Sequence, residues 1–262
     1  MTGKLSIVGL GPGNPQQLTP EADAIVSAAD SLFGYAPYLD RVPVRADQQR
    51  QASDNRQELE RAEHALVAAA AGKSVAVVSG GDPGVFGMAA AVCEAIERGP
   101  PTWRDIDVVV IPGVSAMLAV AARAGAPLGH DFCALSLSDN LKPWTVIEQR
   151  LEAVATAGFV IALYNPISRA RPWQLERAFA KLSGVLPGTT PVIFGRAVGR
   201  PDERMAIVPL CEASGQNADM ATCIIVGTAE TRLIAREGRN PLVYTPRRTV
   251  RASAESAARP TA

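Results

Sequence analysis

Histidine and cysteine are scarce in this chain. There are two histidines, His64 and His130, and four cysteines, Cys93, Cys133, Cys211 and Cys223, with no C-x-x-C pair among them. That argues against a zinc site, which needs three or four such ligands at close spacing. Cys93 and Cys133 sit in apolar runs and read as buried thiols, which fits a reducing, cytoplasmic compartment. Net charge is missing too. Lys+Arg and Asp+Glu number 26 each, so nothing draws the whole molecule to nucleic acid, and only local basic patches remain available. Nothing resembles a DNA-reading helix pair. No apolar run approaches the length of a membrane helix. The strand pattern after Lys4 is too short for the apolar region of a signal peptide. No internal repeat is visible. From Thr249 to Ala262 the residues are Ala, Arg, Ser, Thr and Pro with one Val and one Glu, without periodicity, which reads as a disordered tail.

What is present is apolar residue in quantity: 47% of 262 residues, enough for a sizeable core in one large or two modest domains. The organising stretch runs from Val75 to Met88. Val75-Ala76-Val77-Val78 reads as a buried strand, and it breaks into a loop holding Gly80, Gly81, Asp82, Pro83, Gly84 and Gly87 before a small-residue helix. Strand, glycine loop, helix is how an open α/β sheet offers a ligand site at its carboxyl edge. Asp82 brings only acceptor oxygens, suited to hydroxyls, amines or a cation and repellent to phosphate. A tight turn with Asp82 as a helix cap explains the same residues. Two further strands, Lys4–Val8 and Asp107–Ile111, end in Gly9-Leu10-Gly11-Pro12-Gly13 and Pro112-Gly113-Val114-Ser115-Ala116, and three such ends favour a site.

The first of these loops invites a dinucleotide reading, and it fails. G-x-G-x-x-G needs glycine where Asn14 stands, Pro12 removes an N–H, and the helix capped by Thr19 and opened by Pro20 starts too late. After a strand near Asp30–Phe33, Tyr35 and Tyr38 stand in a loop, placed to stack on a planar ligand or to lie half-buried against the core. Arg41 to Arg56 is polar and reads as an exposed loop. A helix from Asp54 to Ala71 presents Leu59, Ala62, Leu66 and Ala69 on one face. Residues 122–128 look like an interdomain connection. Strands follow at Phe132–Ser136, Phe159–Tyr164, Pro191–Arg196, Met205–Val208 and Ile224–Thr228, with fewer helices between them, so a mixed sheet is expected.

The motifs taken together resemble the tetrapyrrole methylase family, the S-adenosylmethionine-dependent enzymes that decorate the corrin precursor. The resemblance rests on Gly9–Gly13 with Leu18-Thr19, on Gly80-Gly81-Asp82-Pro83, on Pro112–Ala116 and on Gly227-Thr228. It covers about residues 4–245. Further stretches are similar to a ring-contracting member of that family. They are Gly34-Tyr35 with Tyr38, Gly129-His130-Asp131-Phe132, Leu135–Asp139, Pro143-Trp144, and Tyr164-Asn165-Pro166 with Ser168 and Arg171. Lys142 departs from the pattern, which has a small polar residue there.

The resemblance implies an α/β protein of two α/β domains, of the class III methyltransferase type. The first sheet is mostly parallel and the second mixed, with domains at 1–121 and 122–248. It implies a homodimer with a small-molecule tetrapyrrole substrate, and no nucleic-acid, membrane or metal partner. S-adenosylmethionine is the implied methyl donor, held in the trough between domains, and S-adenosylhomocysteine the product. Carried over position by position, donor contacts fall on Pro12, Gly80, Gly81, Asp82, Val85, Ser115, Ala116, Asn165, Ala197, Gly227 and Thr228. The implied reaction is methyl transfer to a macrocycle carbon followed by contraction of the ring. Contraction calls for a base and an oxyanion donor, and His130, Asp139 and Tyr164 are the candidates. His130 also suits a turn cap, and Asp139 a helix cap. The acidic macrocycle needs cations, for which Arg169, Arg171, Arg196, Arg200 and the Arg41–Arg56 segment are candidates, with Tyr35 and Tyr38 beside them. A methylase acting on another carbon or on a cobalt-containing macrocycle stays open, as does a non-catalytic module that binds a nucleoside ligand.

Overall fold

The computed structural model describes residues 3–54, 57–168 and 170–248. Arg56, Arg169 and the tail from Thr249 lie outside them. The chain divides into two compact units, Met1–Ala116 and Met117–Ala262. The sequence reading set this division at 121/122, inside the helix that spans it.

In the first unit, five parallel strands lie in the order β3-β2-β4-β1-β5: β1 (Lys4–Gly9), β2 (Ser31–Tyr35), β3 (Gln49–Ser53), β4 (Ser74–Ser79) and β5 (Asp107–Ile111). The helices are α1 (Pro20–Ala28), the short α2 (Ala36–Leu39), α3 (Glu58–Ala70) and α4 (Met88–Arg98). Thr19 accepts the Ala22 N–H and so starts α1 where expected, a cap worth about 1 kcal/mol. Alternate residues of β1 face opposite sides. Leu5 and Ile7 pack with Ala62, Leu66 and Val92 of α3 and α4, while Val8 packs with Ala22 and Val26 of α1. Each fully buried Leu or Ile contributes about 1.5–3 kcal/mol. The helices that follow the neighbouring strands β1 and β4 therefore lie on opposite faces. That is the topological switch point, where the carboxyl ends of open parallel sheets take ligands.

Three readings of this unit need correction. The Arg41–Arg56 segment is not simply an exposed loop, because Gln49–Ser53 adds the edge strand β3 beside β2. In α3, Leu59 is 39% exposed and Arg61 is buried instead, one position round the helix from the expected stripe. Cys93 is exposed on α4, so it is no core thiol.

In the second unit, α5 (Ala116–Ala124) leads through β6 (Gly125–Ala126) to a five-stranded sheet of order β10-β9-β11-β8-β7. Its strands are β7 (Phe132–Ser136), β8 (Val160–Tyr164), β9 (Pro191–Arg196), β10 (Arg204–Pro209) and β11 (Thr222–Val226). Only β7 and β8 pair in parallel, so the sheet is mixed as expected. The helices α6 (Trp144–Thr156) and α7 (Gln174–Ser183) cover one face through Ile147, Leu151, Leu175 and Leu182. A hairpin, β12 (Arg232–Arg236) and β13 (Arg239–Tyr244), was not foreseen. Every residue of β12 is exposed, so no buried alternation marks it. Among the described residues no helix is long and apolar enough to cross a membrane.

Helix α5 sits on β9 because Gly195 has no side chain: a Cβ there would stand 2.3 Å from Val120 Cγ2. Gly195→Ala is expected to cost about 1–3 kcal/mol by overpacking. Val120→Ala in the same chain should recover part of that loss. Urea unfolding of both single variants and the double variant checks the coupling.

Candidate active site

Three strand ends of the first unit meet backbone to backbone. Gly11 donates to the Gly81 carbonyl at 3.1 Å and Gly81 donates back to Gly11 at 2.9 Å, joining the loops after β1 and β4. Both need left-handed φ, +65° and +67°, which glycine adopts without a Cβ penalty. The loop after β5 closes on them: a Cβ on Gly113 would lie 2.3 Å from the Gly81 carbonyl oxygen. Asp82 clips the arrangement, one oxygen taking the Gly84 N–H at 2.8 Å and the other the Gly113 N–H at 3.0 Å. Ser115 Cα and the Ala116 nitrogen stand 3.7 Å from where a Gly81 Cβ would be. Pro12 is buried within the same group of loops. The structure thus brings Pro12, Gly81, Asp82, Ser115 and Ala116 together. Gly80 joins them under the Tyr38 ring, which would stand 2.6 Å from a Cβ there. Tyr38 meets Tyr35 edge-on at 5.4 Å, so this pair packs on the loop. Val85 closes a turn onto the Asp82 carbonyl, and Phe86 after it holds φ +53°.

Arg41 supports this floor from below, its Nη2 donating to the Leu10 and Gly11 carbonyls at 2.7 and 2.9 Å. Arg50 binds the carbonyls of Leu39, Val42 and Pro43. Two candidate cations of the sequence reading are thus tied to backbone.

In the second unit the strand directions sort the candidates. β8 and β9 both pair antiparallel with β11, so Tyr164, Asn165, Arg196 and Ala197 lie at one end of the sheet with the carboxyl end of β7. Asn165 and Ala197 hold φ +51° and +49°, costly for residues with a Cβ, and such strain collects at functional sites. Asn165 Nδ2 donates to Ser136 Oγ at 2.9 Å. The Tyr164 hydroxyl accepts the Met117 N–H at 3.0 Å, satisfying an orphan donor in the first turn of α5. Past β7, Asp139 Oδ1 takes Arg171 Nη1 at 2.6 Å and Gln174 Nε2 at 2.9 Å, and Arg171 also holds Asn140 Oδ1. Nearby, burial pushes the Lys142 amine down, with Arg150 adding to the shift and Asp139 opposing it.

Gly227, Thr228 and His130 lie at the opposite end. Val226 pairs with Ile161 near the start of β8, and His130 precedes β7, at the other end of that strand from Ser136. His130 Nδ1 accepts the Asp131 N–H at 2.7 Å, a turn-capping role. Thr228 belongs to a buried hydroxyl chain. Its N–H bonds Thr231 Oγ1 at 2.8 Å, Thr231 meets Thr245 Oγ1 at 2.9 Å, and Thr245 donates to the Pro127 carbonyl at 2.7 Å. A Cβ on Gly227 would collide with Thr231 Oγ1 at 2.6 Å.

The model for tetrapyrrole (corrin/porphyrin) methylases matches residues 4–214. The chain belongs to the tetrapyrrole methylase family. It is 65% identical over 247 residues to a precorrin-3B C(17)-methyltransferase from a Sinorhizobium species, covering 94% of this chain and 97% of the relative. A probable cobalt-factor III C(17)-methyltransferase of Salmonella typhimurium is 39% identical over 93% of this chain and 98% of its own. Among solved structures, the methyltransferase CobJ superposes with a TM-score of 0.88 at 46% identity, over 93% of this chain and all of that one.

For a tetrapyrrole methylase, the fate of the arginines is informative. Arg196 is held by Asp202 and Asp219, both at 2.7 Å. Hydrogen bonding to Asp202, then to Asp219, raises its affinity for the proton. Arg196 in turn holds the Asp202 carboxyl below its ordinary range. Burial pushes Asp219 up, but hydrogen bonds from Arg196, Thr222 and Ala221 outweigh it, and the net shift is down. A depressed carboxylate stabilises the fold above its unfolded value and loses that contribution as pH falls through its folded value. The Tm gap between wild type and Arg196→Gln, present at about pH 6, should therefore shrink below the ordinary aspartate value of 3.8. Thermal unfolding across an acid series measures it.

Proposed function

We propose that this protein transfers a methyl group from S-adenosylmethionine to carbon 17 of precorrin-3B, contracting the ring to precorrin-4 in cobalamin biosynthesis. The observation that carries this reading is the 65% identity spanning 97% of a relative with that named activity. We further propose that it works as a homodimer in the cytoplasm, a compartment that suits its free cysteines.

The residues of the first unit fit a cationic donor without phosphate. Pro12 has no N–H to give, and Asp82 presents a carboxylate to hydroxyls or an ammonium, while Gly80 and Gly81 let backbone approach closely. Val85, Ser115 and Ala116 complete that unit's share. In the second unit we assign donor contacts to Asn165 and Ala197, on the strength of their strained backbones. Gly227 and Thr228, spent on the buried hydroxyl chain, are left with a packing role. S-adenosylmethionine supplies an electrophilic methyl group, and what the protein adds is alignment and exclusion of water.

For the contraction we favour Tyr164. Its oxygen takes an N–H from the first turn of α5, where the helix dipole favours developing negative charge. Asp139 spends an oxygen on Arg171 and Gln174, which suits it to shaping the loop after β7. Arg171 and Arg196 reach an acidic substrate only through exchange of their present carboxylate partners.

Incubation with precorrin-3B and labelled donor should give a product gaining one labelled methyl at carbon 17, with a contracted ring by carbon labelling. Methylation elsewhere, or turnover only of the cobalt-containing macrocycle, would replace this reading with the Salmonella-like activity or another. No methyl transfer in a single turnover would favour a binding module. Tyr164→Phe should keep donor affinity and slow contraction about 100- to 10,000-fold. Contraction at the wild-type rate would clear Tyr164 of that role.

A further inference from the structure

Helix α3 carries a buried cation that makes no close ion pair among the described residues. Arg61 is 3% exposed, yet among the described residues no carboxylate oxygen lies within the 4.0 Å of an ion pair. Its Nε donates to Ser53 Oγ at 2.7 Å and its Nη2 to the Asp54 carbonyl at 2.6 Å. Its Nη1 meets only the Met88 thioether at 3.1 Å, a weak acceptor. Burial holds the guanidinium below its ordinary value, with Glu58, Tyr38 and Asp54 opposing at longer range. Buried charges are ordinarily paired, because desolvation is not otherwise repaid.

Arg61 lines a cavity of about 130 Å³ between β3 and α3, with room for several waters or one carboxyl-bearing side chain. The other polar side chains on its wall are Gln51, Ser53, Gln57, Glu60 and His64. Glu60 brings a carboxylate to the wall and keeps its charge, with Gln57 Nε2 donating to its Oε2 at 2.9 Å. The rest bring hydrogen-bond donors. Ser53 Oγ accepts from Arg61, which leaves its hydroxyl hydrogen for the cavity. His64 Nδ1 accepts from Gln51 Nε2 at 3.1 Å, which leaves the hydrogen on Nε2. A fixed positive charge beside two neutral donors suits a carboxylate. Met88, on the buried side of Arg61, is the first residue of α4 after the Gly80–Gly87 loop.

We propose that this cavity is a subsite for one carboxylate of the acidic macrocycle, with Arg61 as counter-ion and Ser53 and His64 as further donors. It rests on the reading of the chain as a macrocycle methylase, and the two can fail separately.

The first probe is propionate, titrated into the full chain and followed at the imidazole ¹H–¹⁵N signals, of which two histidines give two sets. Saturable movement of the His64 signals, with His130 still, is expected, weakened roughly tenfold or more in Arg61→Met. No movement, or equal movement in Arg61→Met, overturns the subsite. If Arg61→Met does not fold, Ser53→Ala decides: it keeps the guanidinium and should weaken propionate about three- to tenfold, and unchanged affinity overturns the subsite. The second arm asks where the carboxylate comes from. In methylation of precorrin-3B, Ser53→Ala and His64→Gln should each raise the macrocycle KM about three- to tenfold, with kcat and donor KM within about twofold. An unchanged macrocycle KM beside intact propionate binding overturns the assignment to the macrocycle in favour of a free carboxylate. A wild-type chain that binds propionate at His64 and never methylates the macrocycle overturns that assignment together with the functional reading, and leaves the carboxylate cavity standing.

Discussion

Everything in the first unit depends on the absence of side chains where β1, β4 and β5 end. Gly9, Gly81 and Gly113 touch through backbone, and a methyl group on Gly9 or Gly113 would come within 3 Å of a neighbouring main-chain atom. The contact fixes three loops against each other, two of them through main-chain hydrogen bonds. Asp82 then acts as a strut, since its two oxygens bind N–H groups of two different loops. A site of this kind is preorganised, because the fold rather than the ligand pays for its order.

The second constraint is charge. An acidic substrate suggests that arginines should wait for it, but most of those placed here are already employed. Arg41 and Arg50 hold carbonyls, and Arg171 and Arg196 hold carboxylates. Arg61 differs in being buried without a close ion pair among the described residues. Abundance of arginine in the sequence is therefore a poor guide to how many remain available to a ligand.

Much of the architecture was legible beforehand because it rests on local signals. Apolar runs leading into glycine loops mark β1, β4 and β5, and Thr19-Pro20 marks the start of α1. The misses share a cause. β3 is an edge strand of sequence Gln-Arg-Gln-Ala-Ser and β12 is exposed throughout, so neither carries the burial pattern from which a strand is read. On α3, Ala62, Leu66 and Ala69 of the expected face are buried, but Leu59 is exposed and Arg61 is buried. The inner face is set by what Ser53, Asp54 and Met88 offer the guanidinium. The strain at Phe86, Asn165 and Ala197 had no sequence signal, since none of them is glycine.

By itself the sequence determined the alternation of strands and helices, the glycine loops and the rejection of a dinucleotide fold. Each of these follows from residue type within a few positions along the chain. Which candidates share a site was decided only by tertiary structure, because strand direction is not written in a strand's own residues. Asn165 and Gly227 both follow apolar strands and read alike in one dimension. β8 and β11 run antiparallel, so the two residues leave the sheet at opposite ends.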